Sequence, residues 1–304
     1  MPYASSPELM TRLLRFQGSH DLPGLRAEES RERFVQKLFN FQVMLRALGA
    51  KKFSGSTDPC QKDFHPLKAI VDLFETGQRD EAAWLAFLTI HFGQEQRITI
   101  RRFYGKFGAG RWNWDTVCHN PEKVDPWMAS LADSQLKSLK FGNHRKHETN
   151  KPKHPKGTAA VIESFVKWVG ENGHGDPYKA LRAVSEGKSP ELAFDHAYRN
   201  ISVTRFGRTG KFDFLCLLGN LGILNVSPPH CYLGKATGPK SGALLMVRGK
   251  KSGRVTGHID RIIRKLQRHL GVPVEAMEDA LCNWQKRPKT AGSSELGYVT
   301  TTCG

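Results

Sequence analysis

The stretch FGRTGKFDFL, Phe206 to Leu215, carries Arg208 and Lys211 at the mouth of an apolar helix, with Arg205 just before it and Asp213 just inside. Three cations within one or two turns can converge on one anion, and the N–H groups and dipole of a helix start pull in the same direction. Asp213 has two readings: it orients Arg208 as a charge partner, or it accepts a proton in a reaction. A second group follows the tight turn in FGNHRKHETNKPKHPKG, Phe141 to Gly157. Arg145 and Lys146 can track a phosphate backbone, with Asn143 and His144 closer to a reacting group. Lys151, Lys153 and Lys156 either track a phosphate backbone or decorate a solvated linker. His144, His147 and His154 lack the tightly paired ligands and the fourth donor of a zinc site, so no metal is expected. A third group is EDALCNWQK, where Glu278, Asp279, Asn283 and Lys286 lie close on one helix. Two acids, an amide and a cation there make either a hydrogen-bonded site or a solvated face, and Leu281 and Trp284 argue that the helix is half-buried.

Two weaker signals accompany these. ITIRRFYGKFGAGRWNW interleaves Arg101, Arg102, Lys106 and Arg111 with Tyr104, Phe107, Trp112 and Trp114, a mixture suited to stacking on bases beside phosphate contacts. Aromatic residues at helical spacing more often fill a core. CYLGKATGPKSGA offers Lys235, Thr237 and Lys240 on a glycine-rich turn, but it lacks the P-loop spacing and no strand precedes it.

The elements that must hold these groups are helical. RFVQKLFNFQVMLRALG puts Phe34, Leu38, Phe41, Leu45 and Leu48 on one face and stops at Gly49. DEAAWLAFLTIHFG is apolar on most faces and should be buried. DPYKALRAVSEG and SPELAFDHAYRN each open with a capping residue, Asp176 or Ser189, followed by proline. GHIDRIIRKLQRHLG sets Ile259, Ile262, Ile263, Leu266 and Leu270 on one stripe, away from its cations. Only GALLMVRG, Gly242 to Gly249, reads as a strand. The expected fold is mainly α, a two-lobed helical bundle with at most a short β hairpin. The expected organisation is an N-terminal helical lobe over 1–143, a mobile basic loop over 144–157, a C-terminal helical lobe over 158–289 and a flexible tail over 290–304.

Charge narrows the partner. The 304 residues hold 46 Lys and Arg against 29 Asp and Glu, a net +17 that exceeds what solubility needs and favours a polyanion, nucleic acid before membrane. No apolar run is long enough to span a bilayer and no secretory signal opens the chain, so a cytoplasmic protein without a membrane partner is expected. The six scattered cysteines form no CxxC pair and read as reduced thiols.

LTIHFG, FGNHRKHE, FGRTGKFDFL, ATGPKSGA and EDALCNWQK together resemble the third clade of the α-glutamyl/putrescinyl thymine pyrophosphorylase superfamily, the amino acid:DNA transferases. The resemblance runs from about residue 30 to 288 and implies a helical fold similar to that of DNA glycosylases. It implies an enzyme of thymine hypermodification in phage-type DNA, in a bacterial or phage-infected cell. There an amine, from an amino acid or a polyamine, displaces pyrophosphate from 5-pyrophosphoryloxymethyluracil in double-stranded DNA, without a cofactor. The leaving group would then be received by Arg205, Arg208 and Lys211, with Arg145 and Lys146. Asp213, Glu278, Asp279 or His144 would take the proton of the amine, and Asn143, Asn283 and Trp284 would hold the base. Lys151, Lys153, Lys156, Lys235, Lys240, Arg101 and Arg102 would follow the DNA backbone. A modified-base DNA glycosylase and a non-enzymatic DNA-binding protein are the competing readings.

Overall fold

The computed structural model describes residues 4–105 and 112–286, so Lys106, Phe107, Arg111 and the expected tail over 290–304 lie outside the described residues. Helices α1 (Ser6–Gln17) and α2 (Glu28–Gly49) open the chain. Proline in the first turn fits α1, whose Leu9, Leu13 and Phe16 recur at helical spacing and are buried. On α2 the expected apolar stripe is buried at Phe34, Leu38, Leu45 and Leu48, and Gln42 joins it.

Ten helices follow: α3 (Pro66–Glu75), α4 (Arg79–Phe92), α5 (Arg97–Tyr104), α6 (Trp114–His119), α7 (Val124–Ser130), α8 (Asp133–Ser138), α9 (Thr158–Gly173), α10 (Pro177–Ala183), α11 (Pro190–Asn200) and α12 (Arg208–Asn220). They form one compact unit over 49–227. Its axis is α4, buried from Ala82 to Phe92 and packed against α3, α5, α6, α10 and α12. Phe87 stacks on Phe165 of α9 with ring centroids 3.9 Å apart, and Phe206 and Phe214 lie 5.1 and 6.3 Å from the same ring. Each such ring stabilises the unit by about 1.5–3 kcal/mol through burial, so Phe206 anchors the start of α12 on the core. The cap expected at Asp176 comes from elsewhere. The Tyr178 N–H at the start of α10 donates to Asp80 Oδ1 of α4 at 2.9 Å, and Asp176 makes no side-chain cap.

The chain then forms α13 (Gly238–Arg248), α14 (Gly257–Leu270) and α15 (Val274–Asn283). These pack with α1 and α2 as a second compact unit, 4–48 with 228–286, around Leu13, Phe34, Leu38, Leu244, Ile263, Met277 and Trp284. The segment expected as a strand, Gly242–Gly249, is instead the body and cap of α13. Pro239 favours a helix start, Gly242, Ala243 and Leu244 are buried at consecutive rather than alternating positions, and Gly249 ends the helix at φ 70°. No strand occurs among the described residues; an isolated bridge joins Ser56 and Phe64. The protein is mainly α.

The compact units do not divide at residues 144–157. That basic segment lies within the unit over 49–227, and two of its side chains, Arg145 and Asn150, go into the interior. Arg145 and Asn150 are 6% and 9% exposed. Asn150 Nδ2 donates to Leu139 O at 2.7 Å, and the Lys153 N–H donates to Asp125 at 2.8 Å.

Candidate functional site

In the unit over 49–227, the expected cations surround the first turn of α12. Gly207 precedes the helix and has no side chain with which to cap its first N–H groups. Arg208 at the first helical position lies over the Phe212 ring at 4.7 Å, and Lys211 lies 5.9 Å from the Tyr198 ring of α11. Burial pushes the Tyr198 hydroxyl pKa up, and the charge of Arg208 draws it part-way back, which places that guanidinium within electrostatic reach of the phenol.

The segment after Phe141 approaches the same turn from another side. The Arg145 guanidinium lies 5.4 Å from the Phe206 ring and against Gly210 of α12, while its Nε donates to Ile90 O at 3.0 Å. A methyl at Gly210 would stand 2.6 Å from Arg145 Nη2, so glycine is what admits the arginine here. Asp213, three residues further on, projects from the face of Gly210. At 100° per residue it stands about 140° round the helix from Arg208, so the two are not neighbours on α12. Arg205, itself exposed, ties down the loop. It donates to Glu148 Oε2 and to His147 O, both at 3.0 Å, and adopts φ 61°, a strained value that these bonds offset. Asn143, His144 and Lys146 are exposed on the turn beside buried Arg145, and Lys151, Lys153 and Lys156 are exposed beyond it.

In the other unit, α15 presents a linked polar edge. Asn283 Nδ2 donates to Asp279 Oδ1 at 2.7 Å, and Lys286 Nζ donates to Asn283 Oδ1 at 2.6 Å. Burial pushes the Cys282 thiol pKa up, with Lys286 opposing and Glu278 reinforcing the shift. Glu278 and Asp279 are half-buried. Trp284 is core: 1% exposed, it meets Phe34 edge-on at 6.1 Å. The glycines of ATGPKSGA serve packing. A methyl at Gly238 would strike Cys282 Sγ, and one at Gly242 would overlap the Leu281 carbonyl, so α13 and α15 lie backbone to side chain and backbone to backbone. Lys235 is exposed and Lys240 half-buried at that helix start.

A family model described as alpha-glutamyl/putrescinyl thymine pyrophosphorylase clade 3 matches residues 36–293. The chain belongs to this family. Searches of curated proteins and of solved structures find no match. The name of the clade 3 thymine pyrophosphorylase family points to an enzyme acting on modified thymine, and the matched span includes all three polar groups described above. Among the described residues no helix is long and apolar enough to cross a membrane.

This clade 3 family member also contains a buried relay that composition does not reveal. Thr158 Oγ1 donates its one proton to Asn150 Oδ1 at 2.7 Å, so His91 Nε2, 3.0 Å from the same oxygen, is the donor to it. The only signal in the sequence is a histidine in the otherwise apolar LTIHFG. Burial, and secondarily the charge of Arg145, lower the His91 pKa to about 3. Burial also lowers His65, at the start of α3, to about 4. In the unfolded chain an imidazole titrates near 6.5. Below about pH 6.5 the unfolded state therefore binds protons that the folded state refuses, and stability falls as the pH drops towards 3–4. While the folded imidazole stays neutral, each such group costs about 1.4 kcal/mol per pH unit. His91→Gln keeps a donor near the Nε2 position and titrates nothing. Urea titrations should therefore show a shallower loss of stability for the variant between about pH 6 and 4. An identical slope in both proteins contradicts the neutral, buried assignment.

Proposed function

We propose that the protein is an amine:DNA transferase that displaces pyrophosphate from 5-pyrophosphoryloxymethyluracil in double-stranded DNA. The family supports an enzyme of modified thymine, and one structural observation carries the chemistry. Arg208 and Lys211 stand at the uncapped start of α12, with Arg145 buried against Gly210 of the same turn.

The amine nitrogen donates its lone pair to the exocyclic methylene carbon, the C–O bond to diphosphate breaks, and the electron pair leaves with the diphosphate oxygen. Negative charge then grows on a group that is already an anion. Fixed cations and helix N–H groups that meet it there lower the barrier, the more so where water is excluded. In this reading Arg208 grips the diphosphate with its planar fork, Lys211 adds a point charge, and Arg145 supplies positive potential from beneath. Arg205 acts through Glu148, fixing the loop that carries Arg145. The ammonium co-substrate must lose a proton before attack, and the nitrogen must lose another after it. Asp213, Glu278, Asp279 and His144 are the acceptors to compare by the pH profiles of Asp213→Asn, Glu278→Gln, Asp279→Asn and His144→Gln. Asn143, in the same unit as Arg208, is assigned to the pyrimidine edge. Enclosing the base keeps water from competing as nucleophile, which favours an extruded thymine over one attacked in the stack.

The test is direct. DNA carrying 5-pyrophosphoryloxymethyluracil is incubated with the protein and a pool of amino acids and polyamines, then digested and its nucleosides weighed. The expected product is a thymidine with an amine bonded at the C5 methylene. Abasic sites in place of that mass would favour glycosylase chemistry and overturn the proposal.

A further inference from the structure

The α13–α14 loop and the outer face of α14 belong to none of the groups above, yet they are the most one-sided charge on the chain. Residues 248–270 hold eight of the 46 Lys and Arg, and Asp260 is the only acid among them. The apolar face of α14, Ile259, Ile263, Leu266 and Leu270, is spent on the core. Arg261, Lys265 and Arg268 recur on the opposite face and are exposed, and Lys250, Lys251 and Arg254 are exposed on the loop that leads in.

A solvated helix face is the plain alternative, and the other helices show what such a face looks like here. Several of their exposed cations carry an acid four residues away, Asp133 with Lys137, Glu171 with Lys167, Glu186 with Arg182 and Asp195 with Arg199, while Arg15 and Lys179 stand singly rather than as a row of three. On α14 Asp260 pairs with Arg264 at 2.6 Å, and no ion pair to Arg261, Lys265 or Arg268 is found among the described residues. Like charges left facing one another destabilise a helix by a few tenths of a kcal/mol per pair, a cost with no folding return. We infer that this face of α14, with its entering loop, is a docking surface for the phosphate backbone of duplex DNA.

Its dimensions and chemistry favour DNA over a lipid surface. Arg261 to Arg268 spans about 10 Å of helix, and phosphates of one strand advance about 3.4 Å each along the duplex, so three contacts fit. A helix that docks on a membrane sets an apolar face beside its cations for insertion, and on α14 that face is already buried. The inference rests on the reading that DNA is the substrate.

Binding of unmodified duplex, measured by fluorescence anisotropy between 50 and 200 mM salt, tests it. Removing three phosphate contacts makes the slope of log K against log salt shallower by about 2.7, so over that range the wild type loses about 40-fold more affinity than Arg261→Gln/Lys265→Gln/Arg268→Gln. The comparison variant neutralises three exposed lysines on other helices or turns, Lys167, Lys179 and Lys188, and should keep the wild-type slope. All six positions are exposed, and unchanged circular dichroism checks folding. An unaltered slope in the α14 variant overturns the surface, as does an equal loss in the comparison variant. So does an α14 variant that loses binding to phosphatidylserine vesicles and keeps its binding to DNA. Failure of the transferase reading shows elsewhere, as a wild type that binds duplex through α14 and forms no aminated nucleoside.

Discussion

Arg208→Ala lowers the rate of diphosphate release from modified DNA by about a thousandfold, the scale expected when one fixed donor to a developing anion is lost. The argument begins with position. Arg208 is the first residue of α12, its guanidinium rests 4.7 Å from the Phe212 ring one turn on, and Lys211 follows on a neighbouring face. Stacking on the ring orients the planar cation, whose fork matches phosphate oxygens bidentately. Because the charge it meets grows as the C–O bond breaks, its loss should appear in the single-turnover rate. DNA affinity, spread over many phosphates, should fall only a few-fold. Arg208→Lys keeps the charge, loses the bidentate geometry and should fall between the two. Single-turnover release of labelled diphosphate measures this, and a near-normal rate in Arg208→Ala removes Arg208 from the mechanism.

Gly242→Ala destabilises the protein by about 3 kcal/mol, and the direction is as informative as the size. In a solvated helix, replacing glycine by alanine stabilises by about 1 kcal/mol, because alanine gives up less backbone freedom on folding. On α13 the added methyl would overlap the Leu281 carbonyl of α15, which is backbone and cannot swing aside. The two helices must separate, and contacts around Ala243, Leu244, Ala280 and Leu281 loosen with them. Calorimetry should register a fall in Tm of roughly 5–10 °C. A variant at least as stable as the wild type would show that α13 and α15 do not meet at these backbones. Gly210→Ala poses the same question at the candidate site. Its methyl meets the movable end of Arg145 rather than backbone, so a smaller stability loss and a larger activity loss are expected.

Legibility in the sequence followed the range of the interaction concerned. Apolar residues at helical spacing predicted α2 and α14 with most of their buried faces, and proline with glycine punctuated them, because these signals are local. Gly242–Gly249 was misleading for a local reason: a short apolar run between glycines has no period of its own, and its burial is decided by α15. The capping of α10 by Asp80 depends on a residue far away in sequence, so no pattern around Asp176 could reveal it. The basic segment after Phe141 reads as linker from composition, since its lysines are conspicuous. What fixes it is Arg145, Asn150 and Glu148, whose partners at Ile90, Leu139 and Arg205 lie on other elements. The division into compact units escaped for the same reason. The N-terminal helices pack with the last three, a pairing that only tertiary contact reveals. Of the candidate site, the clustering of Arg208 and Lys211 at a helix start was legible as spacing. The separation of Asp213 from Arg208 round α12 follows from the helix register, and the place of Arg145 beneath Gly210 needed the fold.

The central claim is that cations at the start of α12 receive a diphosphate as an amine takes its place on the base. DNA labelled in the diphosphate and incubated with wild-type protein and the amine pool should release one labelled diphosphate for each new C–N bond, and none when amines are withheld. Label that stays on the DNA, or leaves with equal speed without amine, would contradict it.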